Sequence, residues 1–261
     1  MRILAIDTST KASGLCLLYA GKQEACHIVE QERTRAENLL PEMATLFRSQ
    51  NSSFDQVDAI AVAVGPGSFT GLRIGVTVAK TLAQFSGKAI CGISTLEALA
   101  EGARQDRTAE FQPGNEQANS GTAFFATERA YTETLIIPVV DARADRIFAA
   151  GFLQKEEVLP RGLMTERVLC ERVASLIREY GITALLFVGA GAHAHKAMMQ
   201  NFSIPVFIAE GLFTKSPVQW VAKLAEKRLA DGEGDSVLDL KPQYLRKSQA
   251  ELQAEERAVK K

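Results

Sequence analysis

Two junctions of the same design constrain this chain more than anything else in it. At each, an apolar run that reads as a buried strand ends in a glycine loop: Ala59–Val64 enters Gly65-Pro66-Gly67, and Ala184–Val188 enters Gly189-Ala190-Gly191-Ala192. Each junction is preceded by a pair of strands, the first of which closes on an aspartate. Ile3–Asp7 and Leu15–Tyr19 flank the polar turn from Thr8 to Gly14, while Ile136–Asp141 and Arg146–Phe152 flank Ala142-Arg143-Ala144-Asp145. The shared order predicts a duplication. Strands interleaved with helical patterns make the class α/β, as one large domain or two lobes. At 261 residues the chain is long enough to give both lobes a core. The spans expected are 1–102 for the first lobe, 103–134 for a polar insertion, 135–216 for the second lobe, 217–246 for a C-terminal helix and closing segment, and 247–261 for a tail.

A glycine turn between strand and helix exposes backbone N–H groups at the positive end of the helix dipole, where phosphates bind. The run Gly65 to Gly75 has that form without the usual residues. No Lys-Ser or Lys-Thr follows it, and its third glycine is misplaced for a dinucleotide fold. Asp7 stands before Thr8, Ser9 and Thr10, a set suited to hydrated magnesium on a nucleotide. The same aspartate also suits a plain turn, its side chain accepting from nearby backbone N–H groups. The candidate vestigial nucleotide site comprises Asp7, Thr8, Ser9, Thr10, Gly65, Gly67, Ser68, Asp141, Gly189 and Gly191, with Arg143 beside Asp141. His193 and His195 follow the second loop at a spacing unlike a helical metal pair and read as solvated loop residues. No nucleophile elbow or Ser–His–Asp set is legible, which disfavours a peptidase.

Composition narrows the partners. A formal net charge of −1 lacks the basic surplus of a protein that grips nucleic acid alone. Cys16, Cys26, Cys91 and Cys170 are dispersed, as in reduced thiols of the cytoplasm. No apolar run approaches bilayer length, and Met1 to Asp7 does not resemble a secretory leader.

Three helices are readable. Glu37–Gln50 sets Leu39, Leu40, Met43, Leu46 and Phe47 on one side; Pro217–Asp231 is amphipathic around Trp220, Val221, Leu224 and Leu229. Gly71–Phe85 is apolar around most of its circumference, with a polar strip of Arg73, Thr77, Lys80 and Gln84. Its small residues at every fourth position, Gly71, Gly75, Ala79 and Ala83, admit a second backbone at close range. That backbone is either the protein's own sheet or a helix of another subunit.

Five segments occur in an order that resembles the TsaB (YeaZ) proteins of the TsaD/Kae-type family: Ile3 to Thr10, Gly65 to Gly75, Ser94 to Ala100, Asp141-Ala142-Arg143 and Pro242-Gln243-Tyr244-Leu245-Arg246. The resemblance implies a two-lobed actin-like, ribonuclease-H-like ATPase fold, each lobe a mixed sheet flanked by helices. It also implies work in forming threonylcarbamoyladenosine at the adenosine next to the anticodon, in tRNAs that read codons beginning with adenine. In that system TsaD-type paralogues perform the transfer and carry two histidines at i, i+4 that help hold a metal; Thr95 and Leu99 stand there here. The implied role is a non-catalytic partner of TsaD, a pseudo-enzyme that holds no metal and requires no cofactor of its own. ATP or ADP with magnesium is expected at the TsaD interface, a TsaE-type ATPase as a further partner, and a homodimer when the protein is alone. Contact with tRNA runs through the complex. The implied partner surface lies on the first lobe's two helices and includes Leu39, Met43, Gly71, Arg73, Gly75, Val76, Ala79 and Ala83. The alternative is an ATP-binding phosphotransferase or ATPase of the same fold.

Overall fold

The structure is a computed structural model that describes residues 1–30, 36–105, 110–118, 132–142 and 145–245. Its first sheet is built from β1 (Arg2–Asp7), β2 (Ala12–Tyr19), β3 (Lys22–Glu30), β4 (Ala59–Gly65) and β5 (Ala89–Ser94), in the order β3-β2-β1-β4-β5. The second contains β6 (Glu110–Pro113), β7 (Thr134–Asp141), β8 (Arg146–Leu153), β9 (Glu156–Thr165), β10 (Ala184–Val188) and β11 (Val206–Glu210), in the order β6-β11-β10-β7-β8-β9. In the first sheet β1, β2 and β3 run antiparallel, β4 adds parallel to β1 and β5 parallel to β4; in the second β7, β8 and β9 run antiparallel, β10 adds parallel to β7 and β11 parallel to β10. The same five-strand plan therefore occurs twice, as the two junctions predict, and it is the plan of a two-lobed actin-like fold.

The helices follow the same duplication. α1 (Ala36–Ser49) and α4 (Glu166–Tyr180) precede β4 and β10; α2 (Phe69–Ser86) and the short α5 (Ala190–Ala194) follow them. α3 (Thr95–Gln105) follows β5, and α6 (Leu212–Lys215) with α7 (Val218–Ala230) follows β11. Local chemistry sets their ends. The Ser68 hydroxyl accepts from Gly71 N at the start of α2, and Thr165 caps α4 in the same way through Val168 N. Gly87 and Gly181 close these two helices in the left-handed conformation.

Both faces of the central strands are apolar because both are covered. Ile3 and Ala5 of β1 face inward to a layer shared by the two sheets, together with Ile136, Leu186 and Phe207. Leu4 and Ile6 face outward beneath α1 and α2, with Leu39, Met43, Val76 and Ala79. The second lobe has its own outer layer of Leu135, Leu169, Val173 and Phe187. α3 and α7 lie in the shared layer, where Trp220, Val221 and Ala225 are fully buried. Burying a large apolar side chain contributes about 1.5–3 kcal/mol, so this layer is what holds the lobes together.

One feature departs from the expected spans. Residues 103–105 are the last turn of α3, and residues 110–113 of the expected insertion are a strand. β6 pairs antiparallel with the edge of β11 through its backbone, which its polar sequence does not advertise. Asn115 fixes the return: its amide donates to the Phe202 and Ile204 carbonyls at 3.1 and 2.9 Å and accepts from Val206 N at 3.1 Å. Residues 119–131, with Phe124, Phe125 and Tyr131, lie outside the described residues, as does the 247–261 tail. α7 packs on the first sheet, and the chain beyond it stays there: Asp235 accepts from Gly92 N at 2.7 Å, and Gln243 N donates to the Val64 carbonyl at 2.7 Å.

Candidate functional site

The end of β1 and the first glycine loop form one closed unit. Thr8 Oγ1 donates to the Gly71 carbonyl at 2.7 Å, and Ser68 N donates to the Ser9 carbonyl at 2.7 Å. A Cβ on Gly71 would sit 2.0 Å from the Thr8 carbonyl oxygen, and one on Gly75 would sit 2.3 Å from Thr8 Oγ1. Glycine is required at both positions because the helix backbone rests directly on the β1–β2 turn.

Asp7 lies inside this unit, fully buried. One carboxylate oxygen accepts from Ser9 N at 2.9 Å and Ser9 Oγ at 2.6 Å; the other accepts from Ser216 Oγ at 2.6 Å. Burial pushes the Asp7 carboxyl above the usual carboxylate range, opposed by these hydrogen bonds. The segment before α7 closes over the turn, and Thr10 Oγ1 donates to the Lys215 carbonyl at 2.6 Å. Magnesium on a nucleotide requires carboxylate oxygens facing water and phosphate. Here they face the protein's own serines, so Asp7, Thr8 and Ser9 do not fit a magnesium–nucleotide site in this arrangement. The turn-forming alternative is what the geometry bears out.

The second lobe repeats the packing with different chemistry. Cβ atoms on Gly189 and Gly191 would each sit 2.7 Å from the Val139 carbonyl oxygen, and Gly189 also meets Leu99 of α3. Asp141 is solvent-facing, in contrast to Asp7. His195 stands between two acids, its Nδ1 at 2.5 Å from Glu166 Oε1 and its Nε2 at 3.6 Å from Asp141 Oδ1. Its side chain is only 11% exposed, which corrects the reading of a solvated loop residue. His193 pairs with Glu210 at 3.3 Å. Arg143 lies outside the described residues. Glu166 is absent from the sequence-derived set; as the first residue of a capped helix, it gives no signal that a histidine far along the chain will meet it.

The helix surface also differs from expectation. Leu39, Met43, Gly71, Gly75, Val76, Ala79 and Ala83 are buried in the chain's own core, facing β1 and β4, so the small-residue stripe serves internal packing. Of the residues expected at the partner surface, Arg73 alone is exposed. Its guanidinium stacks 4.1 Å over the Phe69 ring, and its Nε donates to Tyr244 Oη at 3.0 Å. Lys80 donates to the Leu238 and Leu240 carbonyls at 3.1 and 2.8 Å. The polar strip of α2 thus holds the C-terminal segment. The outer ridge of the two helices carries other residues: Ile74, Val78 and Leu82, half-buried, with Leu40 54% and Phe85 88% exposed.

A duplicated mixed sheet, two glycine loops folded onto the ends of the first strands, and helices shared between the lobes define the class as a two-lobed protein of the actin-like fold. Residues 29–254 match the family model described as TsaD, tRNA N6-adenosine threonylcarbamoyltransferase. The chain belongs to this family. Over nearly its full length it resembles members called tRNA threonylcarbamoyladenosine biosynthesis protein TsaB. The one from Bacillus subtilis strain 168 is 29% identical over 253 residues, 96% of each chain. The one from Escherichia coli K12 is 28% identical over 255 residues, again 96% of each. The solved structure of YeaZ from Pseudomonas aeruginosa superposes with a TM-score of 0.66 at 25% identity, covering 93% of this chain and 99% of that one. TsaB and YeaZ are the names that the sequence resemblance gives.

Proposed function

We propose that this chain serves tRNA threonylcarbamoyladenosine biosynthesis as the non-catalytic partner of a TsaD-type transferase. The observation that carries the reading is at the start of α3. The places where the resemblance puts the transferase's metal-holding histidines are occupied by Thr95 and Leu99, both fully buried, with Leu99 packed against Gly189. Leucine has no donor atom, and a buried threonine hydroxyl is a poor ligand for a transition metal. Asp7, closed by Ser9 and Ser216, adds no carboxylate to a cleft. A protein that resembles the transferase family in fold and lacks its ligands suits binding and positioning.

The surface offered to the partner is the ridge of Leu40, Ile74, Val78, Leu82 and Phe85 on α1 and α2. Exposed apolar residues clustered on a helix pair are the usual core of a subunit interface. In the same reading the ridge pairs two copies of the chain when the transferase is absent, a TsaE-type ATPase joins the pair, and tRNA is met only in the complex. ATP or ADP with magnesium belongs to the interface with TsaD. No described helix is long and apolar enough to cross a membrane, in keeping with work in the cytoplasm.

Reconstitution tests the reading. The purified chain alone should transfer no threonylcarbamoyl group, and adding it to TsaD, TsaE and the adenylate-forming enzyme should restore tRNA modification. Full modification in its absence would overturn the proposal. The phosphotransferase alternative predicts heat on titration with Mg-ATP, which the closure of Asp7 argues against.

A further inference from the structure

Cys16 and Cys26 lie on consecutive strands, β2 and β3, and are adjacent in the fold. Across the antiparallel pair β2–β3 they stand directly opposite each other in register, on the face covered by α7. Directly opposed residues have Cα atoms about 4.5–5.5 Å apart, inside the window of about 4.4–6.8 Å that a disulfide spans. Both are free thiols here. We propose that Cys16 and Cys26 are an oxidative modification site, a dithiol that a hydroperoxide converts to a cross-strand disulfide with Cys26 as the attacking sulfur.

Exposure assigns the roles. Cys16 is fully buried, whereas Cys26, on the edge strand β3, is partly exposed and reachable by a small oxidant. The electrostatics agree with this order. The hydrogen bond from Cys16 draws the Cys26 thiol below its ordinary range, against the opposing effect of burial. The same bond and burial hold Cys16 well above that range, so it keeps its proton. The other two thiols are poorer nucleophiles: burial pushes Cys91 up to about 11 and raises Cys170 as well. Neither Cys91 nor Cys170 is opposite a cysteine in the strand registers.

The chemistry balances with the peroxide alone. The Cys26 thiolate attacks one peroxide oxygen, the O–O bond breaks, and the departing hydroxide takes a proton to leave as water. Cys26 is then a sulfenic acid. The Cys16 sulfur attacks the Cys26 sulfur, the S–O bond breaks, and the hydroxyl leaves as a second water with the Cys16 proton. Two thiols have lost two electrons, and one peroxide has become two waters.

The test uses the whole reduced chain and needs no variant at first. Hydrogen peroxide is added in slight excess, residual thiols are blocked with iodoacetamide, and the peptides are mapped by mass spectrometry. Free thiols should fall from four to two, with a single crosslinked peptide joining Cys16 to Cys26 that disappears on reduction. Peroxide treatment that oxidises Cys91 or Cys170 first, or leaves the Cys16 and Cys26 peptides separate, overturns the proposal. Cys16→Ser should leave a Cys26 sulfenic acid that dimedone traps, and Cys26→Ser should leave Cys16 reduced. Trapping at Cys16 in the latter would overturn the assigned order of attack.

Discussion

The two glycine loops make the same contact and lead to different outcomes. In both lobes the loop lies on the end of the first strand so closely that a Cβ would strike backbone, at Thr8 in one and Val139 in the other. Beyond that point they diverge. The first loop starts α2, a long helix whose outer ridge leaves Phe85 exposed; the second starts α5, five residues that lead to the His195 cluster. Asp7 is sealed by serines, whereas Asp141 faces solvent beside an imidazole. Close backbone packing is therefore the part of the duplication that the fold requires in both copies. The helix that follows is long in one lobe, at 18 residues, and only five residues long in the other.

The largest expected effect breaks the shared contact. Gly71→Val should destabilise the chain by about 3 kcal/mol or more in urea unfolding, because backbone at 2.0 Å cannot move aside. Gly191→Ala, with its nearest backbone atom at 2.7 Å, should cost clearly less. A larger loss at Gly191 would mean that the first loop is the more adaptable one.

Ser216→Ala probes the sealed aspartate and should cost about 2 kcal/mol near neutral pH, the worth of a buried hydrogen bond to a charged group. The sign with pH follows from the raised folded-state pKa of Asp7. Its contribution to stability is complete below the unfolded value and is lost as pH rises through the folded one. Removing the Ser216 donor raises the folded value further. The penalty should therefore shrink as pH falls through the raised folded values, above the usual carboxylate range, and reappear as pH rises, read from melting temperatures across a pH series.

Phe85→Asp probes the outer ridge. It should weaken pairing with a TsaD-type partner about tenfold or more, roughly 1.4 kcal/mol, in calorimetric titration. The melting temperature of the isolated chain should stay unchanged, since Phe85 is solvent-exposed. Unaltered pairing would move the docking surface elsewhere. The smallest effect belongs to the second lobe: His195→Ala should lower stability by about 1 kcal/mol through loss of the Glu166 contact, with pairing intact.

Much of this fold is legible in the sequence, because a strand apolar on both faces, such as Leu4-Ala5-Ile6, and a glycine after it are local signals. The role of the small-residue stripe on α2 is harder to read. Gly71, Gly75, Ala79 and Ala83 announce a close approach without saying to what, and the approaching backbone proved to be the chain's own. β6 is not legible in the sequence because Glu110-Phe111-Gln112-Pro113 joins its sheet through main-chain bonds, which carry little side-chain signature. The closure of Asp7 depends on Ser216, 209 residues away, and no spacing rule reaches that far. His195 was visible as a residue of interest, but its carboxylate neighbours come from separate elements, at Asp141 and Glu166.

The return of α7 and of residues 235–243 to the first sheet has a consequence for biosynthesis. The chain leaves the ribosome with β1 to β5 made early, yet the donor for the Val64 carbonyl, Gln243, and the acceptor for Gly92, Asp235, emerge only after the second lobe has been made. The lobe that starts first is thus finished last. Contacts of such sequence separation slow the closing step, and α2 gains its Lys80 tether to Leu238 and Leu240 only then. Translation order thereby delays a fully braced α2 until residues 238–243 have been synthesised.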